Sequence, residues 1–175
     1  MTCIFADPKE WLLEITPTNQ SQSWDKSQMY STVTSRWCAY INQICLHAFL
    51  NWIETEYAEE GKVWQSSADV PAFWEFVNGT AILLNGKKVV LIPTEAIDDG
   101  ELEVPQEWVD IPSWSADFYL GVQVQPDGEY VRFWGYTTHQ ELKNPAYYDP
   151  IDRTYCIDAK HLTKDLNAFW MAYQF

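Results

Sequence analysis

Phe118-Tyr119-Leu120-Gly121-Val122-Gln123-Val124-Gln125, the turn Pro126-Asp127-Gly128-Glu129 and then Tyr130-Val131-Arg132-Phe133-Trp134-Gly135-Tyr136 read as a β-hairpin. Apolar residues alternate along both arms with the two-residue period of an extended chain. Phe118, Leu120, Val122 and Val124 share one face with Val131 and Phe133. The opposite face carries Tyr119, Gln123, Tyr130, Arg132, Trp134 and Tyr136.

Upstream, residues 73–77, 80–84 and 87–92 are β-rich runs separated by Asn78-Gly79 and Asn85-Gly86. Asn-Gly between such runs signals a hairpin, so a meander of these runs is predicted, with a bulge at Gly79 as the alternative. An acidic connection follows over residues 98–103, and Pro105 and Pro112 exclude a central strand over residues 104–114. Downstream, residues 143–150 read as a polar loop and residues 154–157 as a short strand. Asp158 then caps a closing helix with Leu162, Leu166, Phe169, Trp170 and Tyr173 on one stripe.

At the other end, the polar residues 16–23 read as a loop, and Asp25 with Gln28 resembles a capping box. Neither Gly nor Pro interrupts residues 25–59, which predicts one long helix closed by Glu59, Glu60 and Gly61. Tyr30, Val33, Trp37, Tyr40, Ile41, Ile44, Cys45, Ala48 and Trp52 form its core stripe. A second stripe of Leu46, Phe49, Leu50, Ile53 and Tyr57 makes the later half apolar on two sides, so that half is expected to be sandwiched within the chain. The predicted fold is α+β: a long N-terminal helix, a twisted antiparallel sheet of five or six strands with small-barrel character, and a C-terminal helix. All 175 residues form a single domain in this reading, helical over 1–61, β over 62–157 and closed by a helix over 158–175.

Composition narrows the function classes. Ten Trp, ten Tyr and eight Phe in 175 residues exclude disorder and are more rings than so small a core readily hides. The net charge of −14 repels phosphate backbones, which disfavours direct nucleic-acid binding and suits a basic protein partner. Cys3, Cys38, Cys45 and Cys156 show no disulfide framework and no zinc spacing, so no metal or cofactor is predicted. With no signal segment and no run of apolar residues long enough to span a bilayer, a cytoplasmic chain without membrane contact is expected.

No G-x-G-x-x-G, P-loop, G-x-S-x-G, H-E-x-x-H or EF-hand pattern is present, and no catalytic residue is assigned. His47 lies on the flank of the long helix, His161 in the first turn of the last one, and His139 directly after the hairpin. Trp, Tyr and Arg dominate contact energetics, so the outer hairpin face supplies the candidate binding residues. They are Tyr119, Tyr130, Arg132, Trp134 and Tyr136, with Thr138 and His139 in the segment after the strand.

The run Val104-Pro105-Gln106-Glu107-Trp108-Val109-Asp110-Ile111-Pro112-Ser113-Trp114 is distinctive. Together with Ala116-Asp117-Phe118-Tyr119-Leu120, Trp134-Gly135-Tyr136-Thr137-Thr138-His139 and Asp152-Arg153-Thr154-Tyr155, it resembles a cyanobacterial family, domain-of-unknown-function family 1822. The likeness covers about residues 73–175, and the N-terminal part is shorter than the family implies. The resemblance implies a cyanobacterial cytoplasmic protein and carries no activity, cofactor or catalytic residue with it. The expected function is an acidic protein-interaction module, an adaptor or regulatory subunit without catalysis, whose partner is a basic protein or a second copy. The alternatives are a small enzyme with a site near His139 and Cys156, and a nucleic-acid mimic that inhibits a basic protein.

Overall fold

A computed structural model describes residues 11–57, 64–65, 77–84, 86–94, 100–124, 129–144, 146–165 and 168–169. Strand β1 (Trp11–Glu14) leads into helix α1 (Pro17–Ser27), and helix α2 (Val33–Tyr57) comes next. The polar stretch expected as a loop is thus the body of α1. Thr16 caps it, accepting the Asn19 N–H at 3.1 Å, and Pro17 sits where its missing N–H costs nothing.

The single long helix predicted from Asp25 is in fact two. After Ser27 the chain turns, and the Thr32 and Ser35 hydroxyls each accept the other's backbone N–H, at 3.0 and 3.1 Å, to start α2. The early part of the predicted core stripe is therefore outside the core, with Val33 and Trp37 exposed. The later half of α2 is sandwiched as expected: Ile44, Cys45, Ala48 and Trp52 are buried, and so are Leu46, Phe49 and Ile53.

Six strands form one sheet in the order β1-β7-β6-β4-β3-β2, with β2 (Trp64–Gln65) only two residues long. The others are β3 (Thr80–Leu84), β4 (Lys87–Thr94), β6 (Phe118–Val124) and β7 (Tyr130–Thr138). The larger strands curl as a half-barrel. Gly86 turns the β3–β4 hairpin with a positive φ of 82°, as the Asn-Gly signal predicts. Of the run expected over residues 73–77, only Val77 lies within the described residues; the tip of the β6–β7 hairpin and the end of the predicted long helix beyond Tyr57 lie outside them.

The sheet is mixed, not antiparallel throughout, because β4 and β6 pair in parallel from Val89 with Phe118 to Thr94 with Gln123. A parallel pair needs a long crossover. Here it carries β5 (Glu101–Pro105) and the short helix α3 (Glu107–Asp110), so part of the expected acidic connection is a strand. As the prolines require, β5 is an edge strand: the second sheet runs β5-β9-β8. Its other members are β8 (Tyr147–Asp149), which falls in the expected polar loop together with part of helix α4 (His139–Lys143), and β9 (Thr154–Asp158), which matches the predicted short strand.

The expected closing helix does not run on from Asp158, although Ala168 and Phe169 are helical and the Phe169 N–H donates to the Asp165 carbonyl at 3.1 Å. Asp158 caps only a 3-10 turn over Ala159–His161, and Thr163 then pairs with Tyr136 through two 2.9 Å backbone bonds, which draws the chain out as an extended segment. Of the predicted stripe, Leu162 and Phe169 are buried, while Leu166, Trp170 and Tyr173 lie outside the described residues.

The sheet has a core on each face. On the α2 side, Phe49, Phe118, Tyr136 and Phe169 meet edge to face, with ring centroids 5.3–6.1 Å apart among the contacting pairs. On the other side, Val90, Ile92, Tyr119 and Trp134 pack with Leu102, Val104, Trp108, Ile157 and Leu162. A bulge in β7 divides the rings between the two. Gly121 pairs with Gly135 and Val122 with Phe133, which leaves Trp134 as an extra residue and reverses the facing of the strand beyond it.

Gly135 makes this possible. Its φ is 152°, and a Cβ there would lie 2.8 Å from Leu162 Cβ and 3.2 Å from the Thr163 carbonyl oxygen. Gly135→Ala is expected to cost about 2 kcal/mol or more in urea denaturation. Gly86→Ala, where nothing lies within 4 Å, should cost only about 1 kcal/mol for its positive φ.

Candidate functional site

The hairpin face nominated from the sequence is covered. Tyr119 is fully buried, Trp134 is 2% exposed and Tyr136 7% exposed. The three-stranded sheet with α3 and Leu162 lies over Tyr119 and Trp134, and the bulge sends Tyr136 through to the α2 side. Tyr130 and Arg132 are half-buried at the far end of β7, opposite Glu14 and Leu12 of β1. The expected shared face therefore does not exist as one surface.

The residues after the strand have structural work. Thr138 caps α4: its hydroxyl accepts the Glu141 N–H at 3.2 Å, and the Glu141 carboxylate accepts the Thr138 N–H at 3.2 Å. His139 stacks on Tyr119, and its Nδ1 lies 3.0 Å from the Tyr119 hydroxyl. That hydroxyl donates its one proton to the Trp108 carbonyl at 2.7 Å and accepts the Ala116 N–H at 3.1 Å. His139 Nδ1 must then be the donor in the remaining bond, which fixes the tautomer of the ring.

Cys156 is buried beside Thr154, with Oγ1 to Sγ 3.4 Å, and no hydrogen bond joins it to His139. Burial pushes the Cys156 thiol above its ordinary range, which disfavours the nucleophilic thiolate. His47 is lowered by burial and then by Lys26. Among the described residues no group of three His, Cys, Asp or Glu side chains could hold a metal ion.

Exposed apolar side chains gather in two other places. At β8, Tyr147, Tyr148 and Ile151 are exposed, but the tyrosines are tethered: Tyr147 donates to Glu101 at 2.7 Å and Tyr148 donates to Gln106. At the α1–α2 corner, Trp24 is 54% exposed and Trp37 55%, with Met29 and Val33 more open still. Tyr40 contacts both indoles, at 5.8 Å from Trp24 and 5.7 Å from Trp37 between centroids. Neither indole N–H has a hydrogen-bond partner among the described residues.

The sequence matches the family described as Protein of unknown function (DUF1822) over residues 13–175. The chain belongs to the DUF1822 family. The match takes in both N-terminal helices, further than the motifs of the β part reach. A search of curated proteins and a search of solved structures each return no match. Among the described residues no helix of this DUF1822 chain is long and apolar enough to cross a membrane.

Tyr119 offers a direct test of the buried network. Tyr119→Phe strands the Trp108 carbonyl and the Ala116 N–H, with an expected cost of about 2 kcal/mol. Burial pushes the Tyr119 hydroxyl up to about 12, so its neutral form is favoured in the fold. That stabilisation is complete below the ordinary tyrosine value of about 10 and is lost as pH rises through the shifted value. Urea denaturation from about pH 8 upward should therefore show wild type and Tyr119→Phe converging only in the alkaline range.

Proposed function

We propose that this chain is a protein-interaction module with no catalysis of its own, and that it docks its partner through the α1–α2 corner. The observation that carries the reading is the pair of half-exposed indoles, Trp24 and Trp37, joined through Tyr40. Met29 and Val33 extend the apolar area across the turn between the helices. Large aromatics that present a flat apolar surface and an unused N–H are the residues that most often dominate binding energetics.

Charge selects the partner. With 25 acidic and 11 basic residues, a second copy would bring like charge against like charge, whereas a basic protein would be drawn in. The corner is favoured over the β8 surface because its rings are held by other rings and lose no internal hydrogen bond on docking.

The test begins with affinity capture from native-host extract and continues with the purified partner by calorimetry. Trp24→Ala/Trp37→Ala is expected to weaken binding by about tenfold or more, while Tyr148→Ala leaves it within about twofold. An unchanged Kd for the double tryptophan variant would remove this corner as the contact surface.

A further inference from the structure

Among the described residues, β1, α1 and α2 line a half-open cavity of about 380 Å³ that shares no residue with the aromatic corner. Its size falls among small-ligand sites, which are mostly apolar with a few placed polar groups. Buried Leu13, Ala48 and Trp52 contribute its apolar lining.

Asn19 and Asn51 also line it, and they are held in place. Asn51 Nδ2 donates to Asn19 Oδ1 at 2.7 Å, and the Thr16 hydroxyl donates to the same oxygen at 2.7 Å. That oxygen is saturated. The side-chain atoms Asn19 Nδ2 and Asn51 Oδ1 have no partner among the described residues, so this amide pair can offer a bound molecule one donor and one acceptor.

Glu14 and Glu54 also line it, and among the described residues its lining contains no Lys, Arg or His. An anion would be repelled. Although α1 begins here, Thr16 already takes the Asn19 N–H, which weakens the helix end as an anion site. A purely apolar molecule would leave the amide pair unsatisfied.

We infer that this cavity binds a small organic cation: a guanidinium or ammonium on a short aliphatic stem that also carries an amide. The carboxylates take the charged head, the apolar lining covers the stem, and the asparagine pair meets the amide. The site does not depend on docking at the aromatic corner, since α1 presents Asn19 and Trp24 about 140° apart on its circumference.

N-acetyl-argininamide and its neutral counterpart N-acetyl-citrullinamide separate charge from shape. In calorimetry on the full chain, the arginine probe is expected to bind saturably and about tenfold or more tighter than the citrulline probe. N-acetyl-lysinamide binding equally well would assign the preference to charge alone and still support the site. Glu14→Gln/Glu54→Gln should abolish the difference between the arginine and citrulline probes, with the thermal midpoint showing that the fold is kept. Asn51→Leu should weaken both probes together. The inference is overturned if no probe binds up to about 10 mM, if the two probes bind equally to the wild type, or if the double glutamine variant keeps the preference.

Discussion

One extra residue in β7 decides which of the two cores receives Trp134 and which receives Tyr136. A strand without the bulge would put Trp134 and Tyr136 on the same side of the sheet. Because Trp134 is unpaired between Phe133 and Gly135, Trp134 faces the second sheet and Tyr136 joins Phe49, Phe118 and Phe169 beside α2. Each core thereby receives a large ring, and the described part of the central sheet carries a buried cluster on both faces. The device depends on Gly135, whose backbone passes too close to Leu162 and Thr163 for a side chain.

The outer layer is a consequence of the parallel pairing of β4 and β6. Joining two parallel neighbours takes a long connection, and this chain folds β5 and α3 within it. Burying that layer puts polar groups out of reach of water, and several are paired across it, while the Trp134 indole N–H has no partner among the described residues. Trp108 donates its indole N–H to the Asn78 carbonyl at 2.8 Å, and Asn78 Nδ2 donates to the Pro93 carbonyl at 2.9 Å. Tyr119 completes the set by holding Trp108, Ala116 and His139 together. These ties make the layer specific in position as well as apolar.

The features legible in the sequence were local ones. The hairpin arms, the Asn-Gly turn at Gly86, the edge character enforced by Pro105, the β9 strand and the two apolar sides of later α2 are all set by neighbours along the chain. The misread features are set by competition or by distant contacts. Thr16-Pro17 is a helix start that polar composition masked, and Asp25 with Gln28 mimics a cap inside the end of α1. Thr163 forgoes a helix because Tyr136 offers it backbone bonds. The buried site residues did leave one signal: Val89-Val90-Leu91-Ile92 is apolar without alternation, as befits a strand covered on both faces. A neighbour covered on both faces implies that the hairpin beside it is covered too.

The concealment of that face changes where contact energy can reside. A chain with 28 aromatic residues can place rings in a core or leave them at the surface, and here the two kinds are chemically different. Tyr119 is bound into a polar network and Trp134 is enclosed by Leu102, Leu162 and their neighbours, so neither can reach a partner without unfolding its layer. Trp24 and Trp37 sit where two helices meet at a polar turn, each resting on the ring of Tyr40. Their solvent-facing area is not needed to close either core. Exposed indoles leave apolar area in water and lower resistance to aggregation. The partner proposed above would cover that surface, and the net charge of −14 on the whole chain would favour one of opposite sign.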